Sequence, residues 1–368
     1  MTYDFLQHYW SFIVALLGAL LVFLLFVQGV NAVSHNLGYS EESRQLTYDS
    51  IGRKWMLTFA ALVAFCGIFF ASFPLFFSIS FGSAYWLWTI FLLTFVFQGF
   101  SYVLQNKAKH PGVFWFFLIL NGYVGPMLFG SIIATFFEGA NFIVEKSNMI
   151  SVTDATPTVG HWLNASHGLD ILINPWVLIF SVAIFFLTRI LGILYLRKKI
   201  SDEEILKNGY GRLIAAIIHF VGLSLIFFGH LMLKDGYSYN EGNFIYVEPN
   251  KYLTNFTDMW YLSVMLLAGL ALIVYGTLKA IIHKNHAVGF WPAGIGTIFF
   301  VLALMLCAMW NHTAYYPSTE DMQSSLTIAS SCNSELTLQT MFYVSLVVPF
   351  ILAYIIYRKW AAYKKLNQ

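Results

Sequence analysis

Few side chains in this 368-residue sequence are suited to chemistry, and most of those stand inside long apolar runs. His219 and His230 share one run. At ~3.6 residues per turn and ~1.5 Å per residue they return to nearly one helix face, ~16 Å apart. Two histidines stacked on one helix is how membrane b-type cytochromes hold two haems. Each iron also needs an axial ligand from a facing helix, and no other apolar run contains a histidine, so at most a His–Met pair is available. Both are therefore read as hydrogen-bonded histidines at a helix–helix or subunit contact, and this chain alone is expected to bind no haem. Arg189, in LTRILGILYLRKK, is the one charge well inside a run. It either faces a quinone, an anion or a proton path, or it snorkels to the headgroups. No Asp or Glu lies inside any run to decide between these, and a carboxylate from another subunit would favour the first. Gln28, Asn31, Gln98 and Asn121 are neutral amides near helix ends or small-residue patches. Gly122, Gly125 and Pro126 follow Asn121, so a kink is expected there, with the amides satisfying freed backbone groups. None of the four can relay a proton by titrating near neutral pH.

The elements that must position these residues follow from composition. The sequence is 58% hydrophobic, 18% aromatic and 10% charged, with a mean hydropathy of +0.68. Soluble domains are about a quarter charged, so a soluble enzyme and a disordered scaffold are both excluded. A net charge of +2 gives no field to gather phosphates, so nucleic acid is not an expected partner. Between Lys54 and Lys107 lie 52 residues without a charge. That is roughly 78 Å of helix, enough for two crossings of a ~30 Å core, with a turn near Ser80-Phe81-Gly82-Ser83. The whole chain reads as one all-α integral membrane domain, 1–368, with nine spans near 10–30, 56–78, 84–104, 113–137, 172–196, 212–233, 258–281, 288–310 and 337–357. None of these runs alternates as a membrane β-strand would.

Charge sets the expected orientation. With nine spans, 16 of the 20 basic residues fall on the side of the C-terminus and 12 of the 18 acidic residues on the side of the N-terminus. The N-terminus is therefore expected outside and the C-terminus in the cytoplasm. The first span lacks a basic n-region and a small-residue cleavage site, so it is read as a retained helix. Segments 138–171, 234–257 and 311–336 form the long outer loops, able to fold over that face or to contact another subunit. Cys66 and Cys307 are read as packing residues and Cys332 stands alone, so neither a disulfide framework nor a metal motif can be built. Trp86, Trp88, Trp115, Trp176, Trp260 and Trp291 suit interfacial belts and lipid-facing surface.

Four stretches resemble one family. SSLTIASSCNSELTLQTMFYVSLVVPFILAYIIYRKW (324–360) leads into a helix with the ending Pro349 to Tyr354, GPMLFGSIIATFFEGANF (125–142) is a proline-bearing fourth helix, and LDILINPWVL (169–178) opens the fifth. The second helix runs from Trp55 to Pro74. In this order, along most of the chain, they resemble subunit II of the cytochrome bd-type quinol oxidases. That resemblance implies a complex in the bacterial cytoplasmic (inner) membrane that oxidises membrane quinol and reduces oxygen to water. It implies two haems b and one haem d in a partner subunit I, and a subunit II of two four-helix bundles plus a peripheral helix that binds no haem. Small accessory subunits, lipids and a structural quinone are further partners known from some members, and in some subunit II forms part of a proton path. The family pattern D-G-F-D-x-G is replaced here by QGVNAV, with Gln28 and Asn31 for the two acids. H-W-D-G-N is replaced by KWMLT, with Lys54 for the histidine and Met56 for the aspartate. Proton uptake is therefore expected through subunit I, or through an altered path using Arg53, Lys54 and water. The alternatives are a stand-alone transporter or channel and a purely structural scaffold; a transporter normally places ionisable groups or unwound helices at mid-membrane.

Overall fold

A computed structural model describes residues 2–38, 40–52, 54–105, 112–145, 159–282, 288–351, 353–354 and 357–358. The helices run α1 (Tyr3–Leu24), α2 (Phe26–Leu37), α3 (Glu41–Ile51), α4 (Trp55–Ser72), α5 (Pro74–Phe76), α6 (Tyr85–Leu104), α7 (Gly112–Glu138) and α8 (Pro175–Lys199). They continue as α9 (Glu203–Leu233), α10 (Lys251–Asp258), α11 (Trp260–Ile282), α12 (Phe290–Met309), α13 (Ile328–Ser331) and α14 (Glu335–Ser345). Eight helical segments among the described residues are long and apolar enough to cross a membrane, with α1 and α2 counted together as Tyr3–Leu37. They fall on the first eight expected spans. The ninth expected span, 337–357, is helical at Glu335–Ser345 and apolar to Ile351, and part of its remainder lies outside the described residues.

Local chemistry accounts for the boundaries that differ from expectation. The second span ends at Ser72 rather than 78, because Phe73 precedes Pro74 and takes an extended φ of −130°. The expected turn at 80–83 is a wide helical turn, Phe77–Ser83, that passes into α6. The sixth span starts nine residues earlier than read, at Glu203, where the Asp202 carboxylate accepts from the Ile205 amide at 3.0 Å and caps α9. Lipid supplies no hydrophobic drive between helices, so association depends on close packing and interhelical hydrogen bonds. Three glycines permit the closest approach. A Cβ on Gly29 of α2 would stand 1.8 Å from the Thr188 carbonyl oxygen of α8, and one on Gly192 would stand 2.5 Å from the Gly29 carbonyl carbon. A Cβ on Gly122 of α7 would meet the Ala32 amide nitrogen at 2.4 Å. Helix α2 is thus wedged between α7 and α8, while α1 packs on α4, α12 and α14, α6 on α7, α9 on α8, and α11 on α12.

The three long loops meet at one end of the bundle. Strands β1 (Phe142–Val144) and β2 (Gly160–Trp162) pair antiparallel, as do β3 (Gly236–Tyr239) and β4 (Ile245–Glu248). The segment after α12 ties them together: Ala314 donates to the Tyr237 carbonyl at 2.8 Å, Thr319 to Ala140 at 3.0 Å, and the Gln323 amide to Ile245 at 2.7 Å. Tyr315 and Tyr316 are buried beneath it against Phe76 and Phe136. Asp170 organises the turn before α8, accepting from Trp162 at 2.9 Å, Asn164 at 3.0 Å and Ser166 at 2.6 Å. Burial pushes its carboxyl up, but these hydrogen bonds outweigh it and hold the group below its ordinary value. Cys307 is fully buried and Cys66 and Cys332 partly so, all three as free thiols.

Candidate functional site

The close seam around α2 brings three of the four amides into paired contact. Gln28, Asn31, Gln98 and Asn121 are all fully buried. The Gln28 Nε2 donates to Gln98 Oε1 of α6 at 2.9 Å, and the Tyr102 hydroxyl donates to Asn31 Oδ1. Ser34 donates to the Asn31 carbonyl at 2.9 Å and lies 3.0 Å from the Tyr48 hydroxyl of α3. Five amide atoms have no protein partner: Gln28 Oε1, Asn31 Nδ2, Gln98 Nε2 and both polar atoms of Asn121. A buried atom left so costs about 1–3 kcal/mol unless water bonds to it. Gly125 faces this cluster: an added Cβ would lie 3.5 Å from Asn121 Nδ2, 3.6 Å from Gln28 Cγ and 3.7 Å from Thr94 Oγ1. Pro126 lies within the continuous helix α7, and none of the four amides is seen on a backbone group that it frees: Gln28 bonds Gln98, Asn31 accepts from Tyr102, and Asn121 has no protein partner.

The residues that replace the second acidic motif do not join this cluster. Met56 is 61% exposed. Lys54 lines a different cavity, with Lys198, Lys199 and Trp291. Arg53 lies outside the described residues. A flat apolar groove of ≈ 390 Å³ opens next to α4 and α6, with Trp55, Phe59, Phe95 and Phe100 on its walls. Gly99 makes room for the Trp55 ring, which would lie 3.1 Å from an added Cβ.

His219 and His230 occupy different settings on α9. His230 Nε2 lies 3.0 Å from Oε1 of Glu138, whose other oxygen accepts from the Lys234 ammonium at 2.8 Å. The Glu138 side chain is only 2% exposed, and Trp176 stacks on the His230 ring at 3.8 Å and 3°. His219 is exposed, bonds through Nδ1 to the Ala215 carbonyl at 2.7 Å and stacks on Phe186 at 4.7 Å. Glu138 was not singled out by sequence because it is the first residue past an apolar run. The available signal was the pair His230 and Lys234, four apart on one helix face, which calls for an anion. A carboxylate at a helix C-terminus is disfavoured by the dipole, and the Lys234 ammonium and the His230 hydrogen bond offset that.

Arg189 has its guanidinium 5.4 Å from the Phe185 ring centre and 5.8 Å from that of Phe186, and its Nε has no hydrogen-bond partner. Among the described residues no carboxylate lies within ion-pair distance of it. The Nε2 of His230 is engaged by Glu138 and its face is covered by Trp176. Among the described residues there is no group of three or more His, Cys, Asp or Glu placed to hold a metal ion.

The fold has a counterpart among solved structures, and the sequence has relatives. A family model described as cytochrome bd terminal oxidase subunit II matches residues 6–362. Cytochrome bd-I ubiquinol oxidase subunit 2 of Escherichia coli K12 is 22% identical over 384 aligned positions, covering 100% of this chain and 96% of that protein. A probable cytochrome oxidase subunit 2 of Haemophilus influenzae is 24% identical over 382 positions, covering 98% and 94%. The solved bd oxidase structure from Geobacillus thermodenitrificans superimposes with a TM-score of 0.60 at 15% identity, covering 97% of this chain and 98% of that one, and supports the fold. The chain belongs to the cytochrome bd terminal oxidase subunit II family.

Proposed function

We propose that this chain is the non-haem subunit II of a respiratory oxidase in the bacterial cytoplasmic membrane, one that oxidises membrane quinol and reduces oxygen to water. It completes and stabilises a haem-bearing subunit I, which holds two haems b and one haem d. The observation that carries the proposal is the family match along residues 6–362. The engaged state of His230 supports the assignment of the haems to the partner. We further propose nine spans, the last at 337–357, with the N-terminus outside and the C-terminus in the cytoplasm, as the distribution of basic residues favours. The aromatic groove beside Trp55 has the lining that a structural quinone ring and its tail require. Affinity purification of this chain in mild detergent is expected to bring down a coloured partner with haem b and haem d absorption. A colourless chain that travels alone and binds a solute would replace this reading with a transporter.

In this subunit the amide cluster supports the fold without titrating, so proton uptake runs through subunit I or through an altered path using Arg53, Lys54 and water. Gln28→Leu in the purified complex is expected to leave quinol-driven proton uptake at the wild-type level. Thermal stability falls by about 1–3 kcal/mol, because Gln98 loses its amide partner. A large loss of coupled uptake in a normally assembled Gln28→Leu complex would show that protons cross this site.

A further inference from the structure

A cavity of ≈ 290 Å³ opens where the end of α8 meets the starts of α4 and α12 and the α1–α2 junction, at the end of the bundle away from the loop cap. Three lysines converge on it: Lys54, and Lys198 and Lys199 from the last turn of α8. Among the described residues none of the three has a carboxylate within ion-pair distance. Lys198 instead stands 4.8 Å from the ring centre of Trp291 and 5.8 Å from that of Phe290. The remaining wall is largely apolar and partly exposed, with Leu57 53% and Trp291 57% exposed. Three ammonium groups with no carboxylate beside them among the described residues call for an oxyanion, and exposed apolar walls below them call for a hydrocarbon chain attached to it. A tryptophan at the mouth marks the headgroup level, where its ring is half apolar and half wet.

We propose that this cavity binds an anionic phospholipid, its phosphate diester held by Lys54, Lys198 and Lys199 and its acyl chain lying along Leu57 and Trp291. Basic pockets between helices take lipid headgroups in this way. A free phosphate shares the oxyanion but has no use for the apolar wall, so the two sources are separable.

The test uses the purified oxidase complex, stripped of lipid by detergent exchange and then equilibrated with nanodiscs or micelles of phosphatidylglycerol, of phosphatidylcholine, or with inorganic phosphate. Bound lipid is counted by native mass spectrometry, and quenching of Trp291 by bromine-labelled acyl chains reports its position, with Trp291→Phe as the blank. Wild-type complex is expected to retain phosphatidylglycerol and to lose phosphatidylcholine, and inorganic phosphate is expected not to displace the bound lipid. Each of Lys54→Gln, Lys198→Gln and Lys199→Gln should weaken retention about fivefold, the effect of one cation near an anionic lipid surface. Leu57→Trp fills the apolar wall and leaves all three charges, so it should release the lipid while the complex stays assembled on size exclusion. If the lysine variants fail to assemble, the Leu57→Trp result decides. Equal retention of both lipids, unchanged retention in Leu57→Trp, or displacement by inorganic phosphate each overturns the proposal, the last in favour of a free-anion site.

Discussion

Gly29→Val is expected to leave no folded subunit in a detergent extract. A Cβ at this position would stand 1.8 Å from the Thr188 carbonyl oxygen and 2.4 Å from its carbon, both backbone atoms of α8. Backbone cannot swing aside as a side chain can, and a Cβ on Gly192 of α8 would likewise stand 2.5 Å from the α2 backbone. Relief would require separating the two helices, and α2 is also held against α7 at Gly122. Ordinary overpacking of a core costs about 1–3 kcal/mol. Opening a backbone-to-backbone seam goes beyond that and reaches the ~5–15 kcal/mol that holds a whole domain together. The seam also carries the amide cluster, so Gln28 and Asn31 would lose their partners in the same step. Gly222 of α9 is the control, because a Cβ there meets nothing within 4 Å. Gly222→Ala should match or slightly exceed wild type, since alanine favours a helix interior by roughly 0.5–1 kcal/mol. The measurement is the size-exclusion peak and melting temperature of the extracted complex. A monodisperse Gly29→Val complex with an unchanged melting temperature would mean that the seam is looser than its geometry indicates.

The contrast between what the sequence discloses and what it hides has a physical cause. Charge is so costly in hydrocarbon that its absence over 52 residues marks two spans before any periodicity is considered. Boundaries are less legible, because a helix that leaves the apolar core carries on for as long as it is capped or packed. Helix α2 runs to Leu37 through Ser34, His35 and Asn36, all polar, since Tyr48 and α7 give that segment something to pack on. Side-chain pairing is least legible. Gln28 and Gln98 are 70 residues apart, Asn31 and Tyr102 are 71 apart, and Glu138 and His230 are 92 apart. No spacing rule joins residues on helices whose contact is set by glycines elsewhere on their faces. The histidine pair illustrates the limit. Its shared helix face is readable, but that one ring is bound and stacked while the other lies on an exposed surface depends on α7 and α8.

Glu138→Ala is expected to destabilise the subunit more than any other single polar truncation in it. The carboxylate is 2% exposed and bridges two groups on α9, His230 at 3.0 Å and Lys234 at 2.8 Å. Beside it the Phe137 carbonyl accepts from the buried Tyr252 hydroxyl at 3.2 Å, a backbone contact that the substitution leaves in place. Alanine would leave the Lys234 ammonium without its anion, and truncating one partner of a buried ion pair costs about 3–5 kcal/mol. Lys234 is 23% exposed and His230 18%, so water can reach both in part, which places the expected loss at the lower end of that range. Glu138→Gln keeps an acceptor and a donor of the same length and should recover part of the loss. The deciding measurement is a double-mutant cycle with Lys234→Met, read as melting temperature of the assembled complex. If the ion pair is the source, Lys234→Met in the Glu138→Ala background should recover stability, because it removes the stranded charge. Additive losses would instead assign the effect of Glu138 to packing under the loop cap. The aromatic floor supplies a second readout. Trp176 lies flat on His230, so release of the imidazole from Glu138 should shift tryptophan fluorescence in Glu138→Ala, and Trp176→Phe should abolish that shift.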